Sequence, residues 1–316
     1  MPRVFIHLPQ HQLKDDLSSA PGFYGHLARA FAGLGWQVEQ RRRRSIEAGP
    51  EFAEPGHHFV HQGLVRQANV LNTGIAYILP FWYADPHGIF GESSIFDLAF
   101  DPASVPLAWA DGFHRRLTDR LVSRRTSRHD QPDARAVFAP GAIAVFLQGP
   151  SIPMARVRYM SEPDMVRMIL EGAGGREVLV KPHPRNPDPG TLAELRGLAR
   201  SWPNLKLVDA NLHDLLTGAA VCCSISSSVG IEAMLHKVPS IQFGRTDFHH
   251  CAVTVRPGDS FAEALGHALA TDWPFSRFLY WFLQRQCLNM GQDGWFGRLL
   301  ERMEVSPPGQ ARQGPG

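Results

Sequence analysis

The chain has 316 residues, 44% of them hydrophobic, with 32 lysines and arginines against 30 aspartates and glutamates. That length supports two modest α/β domains, because single cores stop growing near about 250 to 300 residues. The four cysteines, adjacent at Cys222 and Cys223 and alone at Cys251 and Cys287, have neither metal-ligand spacing nor a disulfide framework, and no apolar run approaches the ~18 residues of a membrane span.

At the N-terminus, Arg3 is followed by a short apolar run, Pro9 and the polar HQLKDD, which is not the pattern of a signal peptide. A cytoplasmic protein is expected. Residues 4–8 read as a strand, 25–34 as a helix and 36–39 as a second strand, a start that suits a Rossmann-like lobe. Residues 41–44 are four consecutive arginines, and 77–82 reads as a further buried strand. The segment 80–97, PFWYADPHGIFGESSIFD, sets Asp85, His87, Glu92 and Asp97 among aromatics and glycines. That composition fits an acid–base loop facing a cleft and equally an aromatic-packed loop.

Arg115, Arg116, Arg120, Arg124, Arg125 and Arg128 recur at three- and four-residue spacing through a helical-looking segment, giving one basic face. Such a face is either a solvated surface or a contact for anionic lipid headgroups or an acidic glycan, which would make the protein peripheral to the inner membrane. No recognised motif accompanies these arginines, so nucleic acid is not an expected partner. The stretch 131–141, QPDARAVFAPG, reads as a linker and sets a lobe boundary near residue 138.

Beyond it, strands are expected at 143–148, 178–181, 205–208, 220–224 and 240–244, alternating with helices at 162–172, 191–200, 212–217 and 229–236. Alternation of this kind predicts a doubly wound parallel sheet. An amphipathic helix follows at 261–270. Another at 275–288 carries Phe278, Tyr280, Trp281 and Phe282, which are expected to pack across the lobes rather than face a membrane. The tail 301–316, ending SPPGQARQGPG, is expected to be disordered.

Two turns carry the chemistry. In VLVKPHP, Pro182 and Pro184 cannot continue a sheet ladder, so Lys181 and His183 are expected to leave the strand's carboxyl edge. After the apolar run 219–223, Ser226, Ser227 and Ser228 stand where an N-cap belongs, and Gly230 would let a ligand approach the first helical turn. Unpaired N–H groups and hydroxyls at such a turn bind anions, and open α/β sheets hold ligands outside their carboxyl edges. Either turn alone is ordinarily a rigid loop or a plain cap; together they predict a phosphate or nucleotide cradle, with Glu232 one helical turn past Ser228 in reach of a ribose hydroxyl.

KPHP, then SSSVGIEAMLHKVPSIQFG, then FLYWFLQRQCLNMG resemble the capsule polysaccharide biosynthesis proteins, a family that includes bacterial Kdo transferases related to sialyltransferases. The resemblance covers roughly residues 140 to 292. It implies an α/β, GT-B-like fold of two Rossmann-like lobes with a cleft between them: 1–138 on the acceptor side and 139–300 on the nucleotide-sugar side. His183 and Pro184 match the family's His-Pro motif, Ser227 and Ser228 its paired serines, and Gln148 a glutamine that opens its second domain. By that resemblance these positions hold the phosphate and sugar of a CMP-activated donor. Gly149 and Pro150 stand where members often carry an acidic or polar residue, and RTDFHH after Gly244 also departs.

The implied activity is transfer of a sugar, Kdo or another acidic one, from a CMP-linked nucleotide-sugar to a glycan or glycolipid acceptor. Glu92 is the first candidate to activate the acceptor or attack the anomeric carbon, with His87 and Asp85 next. No carboxylate pair of the kind that holds a nucleotide-bound cation is present, so neither metal nor cofactor is expected, and Lys181, His183 and a helix dipole would neutralise the leaving phosphate. Transfer of a polyol phosphate from a CDP-linked donor needs a similar cradle. A non-catalytic polysaccharide assembly or export protein would instead use the arginine face.

Overall fold

The computed structural model describes residues 1–150 and 156–304, so the end of the expected tail lies outside the described residues. The chain forms two compact units, Met1–Leu98 with Leu283–Gly316, and Ala99–Phe282. The boundary therefore does not fall near residue 138. The expected linker belongs to the second unit, because Arg125 pairs with Asp214 at 2.7 Å and donates to the carbonyls of Asp133 and Ala134, while the Ala136 N–H donates to the same Asp214 carboxylate.

In the first unit, β1 (Arg3–Leu8) leads through α1 (Phe23–Gly33) to β2 (Gln37–Arg42), and β3 (His57–His61), β4 (Val70–Ile75) and β5 (Phe81–Asp85) follow. The sheet order is β5-β4-β3-β1-β2, with a two-residue strand, Leu288–Asn289, outside β5. β1, β2, β3 and β4 are mutually parallel, and β5 runs antiparallel to β4. Phe23, Leu27, Ala28 and Phe31 recur at helical spacing and bury one face of α1 against Val4, Ile6, Leu8 and the C-terminal helix Trp295–Arg302. The strand expected at 77–82 begins instead at Phe81, because Tyr77 adopts φ +63°, outside the extended region.

The second unit opens with α2 (Leu107–Leu121) and continues β6 (Ile143–Phe146), α3 (Glu162–Gly172), β7 (Val178–Lys181), α4 (Pro189–Leu198), β8 (Leu205–Leu207), α5 (Leu212–Leu216) and β9 (Val221–Ser224). Then come α6 (Val229–Leu235), β10 (Ser240–Gln242), β11 (Val253–Thr254), α7 (Phe261–Ala270) and α8 (Phe275–Leu279). All six strands are parallel in the order β8-β7-β6-β9-β10-β11, as the alternation predicted. Val145, Val180 and Cys223 face Met165, Ile169 and Phe261 on one side; Ala144, Leu179 and Cys222 face Leu215, Leu216 and Ala233 on the other. Covering both faces accounts for the continuous apolar strand sequences.

All four cysteines are free and buried. The helix expected at 275–288 is α-helical only to Leu279, continues as a π-helical turn over Tyr280–Gln286, and gives Leu288 to the first unit's sheet. Its aromatics pack within the second unit: Phe278 lies 5.3 Å from Phe100, and Tyr280 lies 5.7 Å from Phe113. No helix among the described residues is long and apolar enough to cross a membrane.

Candidate functional site

In the second sheet the chain first winds outward through β7 and β8, then crosses to β9 on the other side of β6. The switch point lies between β6 and β9, where open α/β sheets hold ligands at the carboxyl edge. Gln148, two residues past β6, spans it: its Oε1 accepts the Ser226 N–H at 2.7 Å. The backbone N–H groups of Gln148 and Gly149 both donate to Glu162 Oε1 in the first turn of α3. Burial pushes the Glu162 pKa up, and those two N–H groups oppose it.

Gly149 sits at φ +66°, and a Cβ there would lie 1.9 Å from the Asn186 carbonyl oxygen, so only glycine fits. Asn186 in turn donates from Nδ2 to the Pro150 carbonyl at 2.6 Å. The Gly-Pro pair that departs from the resembled family is thus the seat on which the Pro-His-Pro turn rests.

His183 emerges from that turn. Its Nδ1 accepts from the N–H groups of Asn186 at 3.0 Å and Arg185 at 3.2 Å, which assigns the proton of a neutral ring to Nε2. Burial lowers the His183 pKa, and the charges of Arg128, Arg185 and Lys181 lower it further, favouring the neutral form. His129 packs edge-on against the ring with centroids 5.1 Å apart. Arg128 and His129 were missed as neighbours of the motif: 55 and 54 residues before His183, they reach it only because the 125–136 strap is tied to α5.

Lys181 behaves otherwise than expected. It is the last residue of β7, only 4% exposed, and its Nζ lies 3.5 Å from Asp209 Oδ1. Burial depresses its pKa and Asp209 opposes that. The prolines free His183 from the strand, whereas Lys181 stays under the edge.

Ser226 is buried, while Ser227 and Ser228 are half-buried. The Ser227 hydroxyl accepts the Val229 N–H at 3.3 Å, and Ser228 occupies the N-cap position of α6 without a side-chain capping bond. Gly230 has a packing role in place of the expected ligand approach: a Cβ there would lie 2.6 Å from the Phe248 ring. Glu232 is 1% exposed and neither carboxylate oxygen has a hydrogen-bond partner of good geometry. Burial pushes its pKa up to about 7, with the Ser127 hydroxyl opposing. Sealed from solvent, it does not stand where a ribose hydroxyl would lie.

In the first unit, Asp85 organises its loop. Its Oδ1 accepts from the N–H groups of His87 at 2.8 Å, Ser94 at 2.9 Å and Gly88 at 3.1 Å, and its Oδ2 accepts from the Ser94 hydroxyl at 2.7 Å. His87 and Glu92 on the same loop are half-buried. Because β5 is antiparallel to β4, the chain leaves it toward the amino ends of the parallel strands, opposite the edge at which such sheets hold ligands.

The single basic face also divides. Arg41 lies 4.0 Å over the Phe5 ring and pairs with Glu39 and Glu54; α2 ends at Leu121, and Arg125 is held by Asp214. Arg42, Arg44, Arg115, Arg116 and Arg124 are exposed.

No protein-family model matches the chain, and no curated protein matches its sequence. Among solved structures, the beta Kdo 2,4 transferase of Thermosulfurimonas dismutans KpsC aligns with a TM-score of 0.52 at 18% identity, over 88% of this chain and 89% of that one. The fold is GT-B-like. The beta Kdo 2,7 transferase of the same KpsC aligns with a TM-score of 0.49 at 14% identity, over 84% of this chain and 90% of that one. At 18% identity the likeness to the 2,4 transferase is one of fold alone; in this chain that fold is two α/β units, each with a mostly parallel six-stranded sheet.

Proposed function

We propose that the chain is a glycosyltransferase of capsule or surface-polysaccharide biosynthesis, moving Kdo or another acidic sugar from a CMP-linked donor to a glycan or lipid acceptor. The observations that carry this are the Gln148–Ser226 bridge at the β6/β9 switch point and, on the turn after the neighbouring β7, an Nε2-protonated His183 whose turn is tied to Pro150 through Asn186. In the reaction, the acceptor oxygen bonds to the anomeric carbon, the bond from that carbon to the CMP phosphate oxygen breaks, and the electron pair leaves with CMP. In this reading His183 Nε2–H donates to that phosphate, with Arg128 and Arg185 adding positive charge and Ser227 and Ser228 supplying hydroxyls. The acceptor proton goes to a base; Glu92, His87 and Asp85 are the loop candidates for it, although their loop leaves β5 away from the parallel strands' carboxyl edge and Asp85 is already engaged by four hydrogen bonds. The exposed arginines are offered as contacts for anionic lipid or acidic glycan.

Calorimetric and thermal-shift titrations with CMP, CDP, UDP and GDP test the proposal. Selective stabilisation by a cytidine nucleotide, lost in His183→Ala together with roughly a hundredfold or more in turnover, is the expected outcome. Normal turnover of the variant would sink it, and no response to any nucleotide would favour an assembly or export role. The same cradle could take a CDP-linked polyol phosphate, in which case CMP is released from CDP-glycerol and not from a CMP-sugar.

A further inference from the structure

The charges around the Pro-His-Pro turn do not balance. Lys181 lies under the sheet edge with Asp209 Oδ1 3.5 Å from its Nζ, and Arg185 stands 3.6 Å from Asp130. Arg128 is exposed and pairs with no acid among the described residues. Desolvation by the surrounding protein and the neighbouring Arg185 charge both lower its pKa, so the two guanidiniums lie close enough to repel. Like charges held together in this way are relieved by a bound anion.

The backbone that carries Arg128 is anchored on both sides. Before it, Arg125 pairs with Asp214 at 2.7 Å, and the Thr126 carbonyl accepts from His213 Nε2 at 2.9 Å. After it, Gln131 Oε1 accepts the Leu212 N–H at 3.2 Å, and the Pro132 carbonyl accepts from Asn211 Nδ2 at 3.4 Å. Between these anchors His129 packs on the His183 ring, so Arg128 is fixed beside the imidazole whose Nε2–H faces the phosphate in the proposed reaction. All of these residues belong to the second unit. A strap tied down before the ligand arrives removes much of the ordering cost of binding.

We propose that Arg128 is a specificity residue for the donor sugar: it binds a carboxylate borne by the anomeric carbon, so that the second unit separates a ulosonic acid such as Kdo from a neutral sugar. This rests on the transferase reading. In a ulosonic acid the carboxylate is bonded to the same carbon that carries the phosphate ester, so an arginine fixed beside the phosphate-binding imidazole stands where the second anion arrives. His183 Nε2–H and Arg185 stay with the phosphate, and the Arg128 guanidinium takes the carboxylate through its planar, bidentate fork. A neutral sugar on the same nucleotide would leave Arg128 without a counter-charge.

The test is calorimetric titration of the full chain, of Arg128→Gln and of Arg128→Lys with CMP, CDP and CMP-Kdo. Arg128→Gln should weaken CMP-Kdo roughly ten- to a hundredfold and leave CMP within about twofold, and Arg128→Lys should recover part of the loss. An equal loss for CMP, or a loss for CDP as large as that for CMP-Kdo, puts the arginine on a phosphate and overturns the assignment, as does unchanged binding of all three. If no cytidine nucleotide binds the unaltered chain, the donor reading fails, and a second measurement decides the arginine by itself. The arginine Nε–H signals are followed by ¹H–¹⁵N NMR during titration with free Kdo and with its methyl ester, the Arg128 signal being identified by its loss in Arg128→Gln. A shift with Kdo and none with the ester supports the carboxylate contact; no shift with Kdo, or the same shift with both, overturns it.

Discussion

The two units use one architecture in opposite ways. Each has a glutamine just after its first strand that crosses its sheet's switch point, Gln12 in the first and Gln148 in the second. Gln148 ends on a backbone N–H at 2.7 Å, a fixed bond that rigidifies a turn, whereas Gln12 ends 3.4 Å from the His61 ring, a longer and weaker contact. Each unit also buries a carboxylate. Asp85 is saturated by four hydrogen bonds, while Glu232 has none of good geometry. The fold fixes where polar side chains converge, and their identity decides how firmly each one is held there.

The sharpest contrast between the two acids is what removing them does. Asp85→Ala strands three N–H groups and a hydroxyl in a largely buried loop, at a cost of about 3 kcal/mol or more. Denaturant titration should show that loss. A variant of unchanged stability that has lost turnover would restore Asp85 as a chemical group and erase the distinction drawn here.

Glu232 should respond in the other direction. Its native carboxyl holds a proton up to about pH 7, whereas the unfolded one loses it near 4.5. Between those values the native state binds more protons than the unfolded state, so stability falls as pH rises through the window, by on the order of 3 kcal/mol. The contribution is intact below the unfolded value. Glu232→Gln should flatten this dependence and leave the variant more stable than the parent above pH 7, measured by urea denaturation at several pH values. Parallel pH profiles for the two proteins would show that the carboxyl has a partner.

These two acids also show what the amino-acid order could reveal. The second sheet was legible because β7, β9 and their turns are local: VLVK stops at prolines, and VCCS runs into serines. β3 and β4 were not, because HHFVH and VLNTGI bury His58, Asn72 and Thr73, whose bonding partners lie elsewhere in the chain. Tyr24 and His61 are 37 residues apart, and no spacing rule joins them. Lys181 and His183 look equivalent in sequence, yet the first is still part of a strand buried on both faces, while the second lies on the turn that the prolines force out of it. The seat made by Gly149 was likewise hidden, since its close neighbour, Asn186, arrives from another loop.

The smallest effects separate the two glutamines. Gln148→Ala leaves the buried Ser226 N–H without this acceptor, a loss of about 1 to 3 kcal/mol that should appear both in the thermal midpoint and as weaker cytidine-nucleotide binding. Gln12→Ala gives up only a long contact to His61 and should change stability by under about 0.5 kcal/mol. If instead Gln12→Ala destabilises the first unit as much as Gln148→Ala does the second, the amide is a structural brace in both places, and the difference in contact distance would not separate the two glutamines.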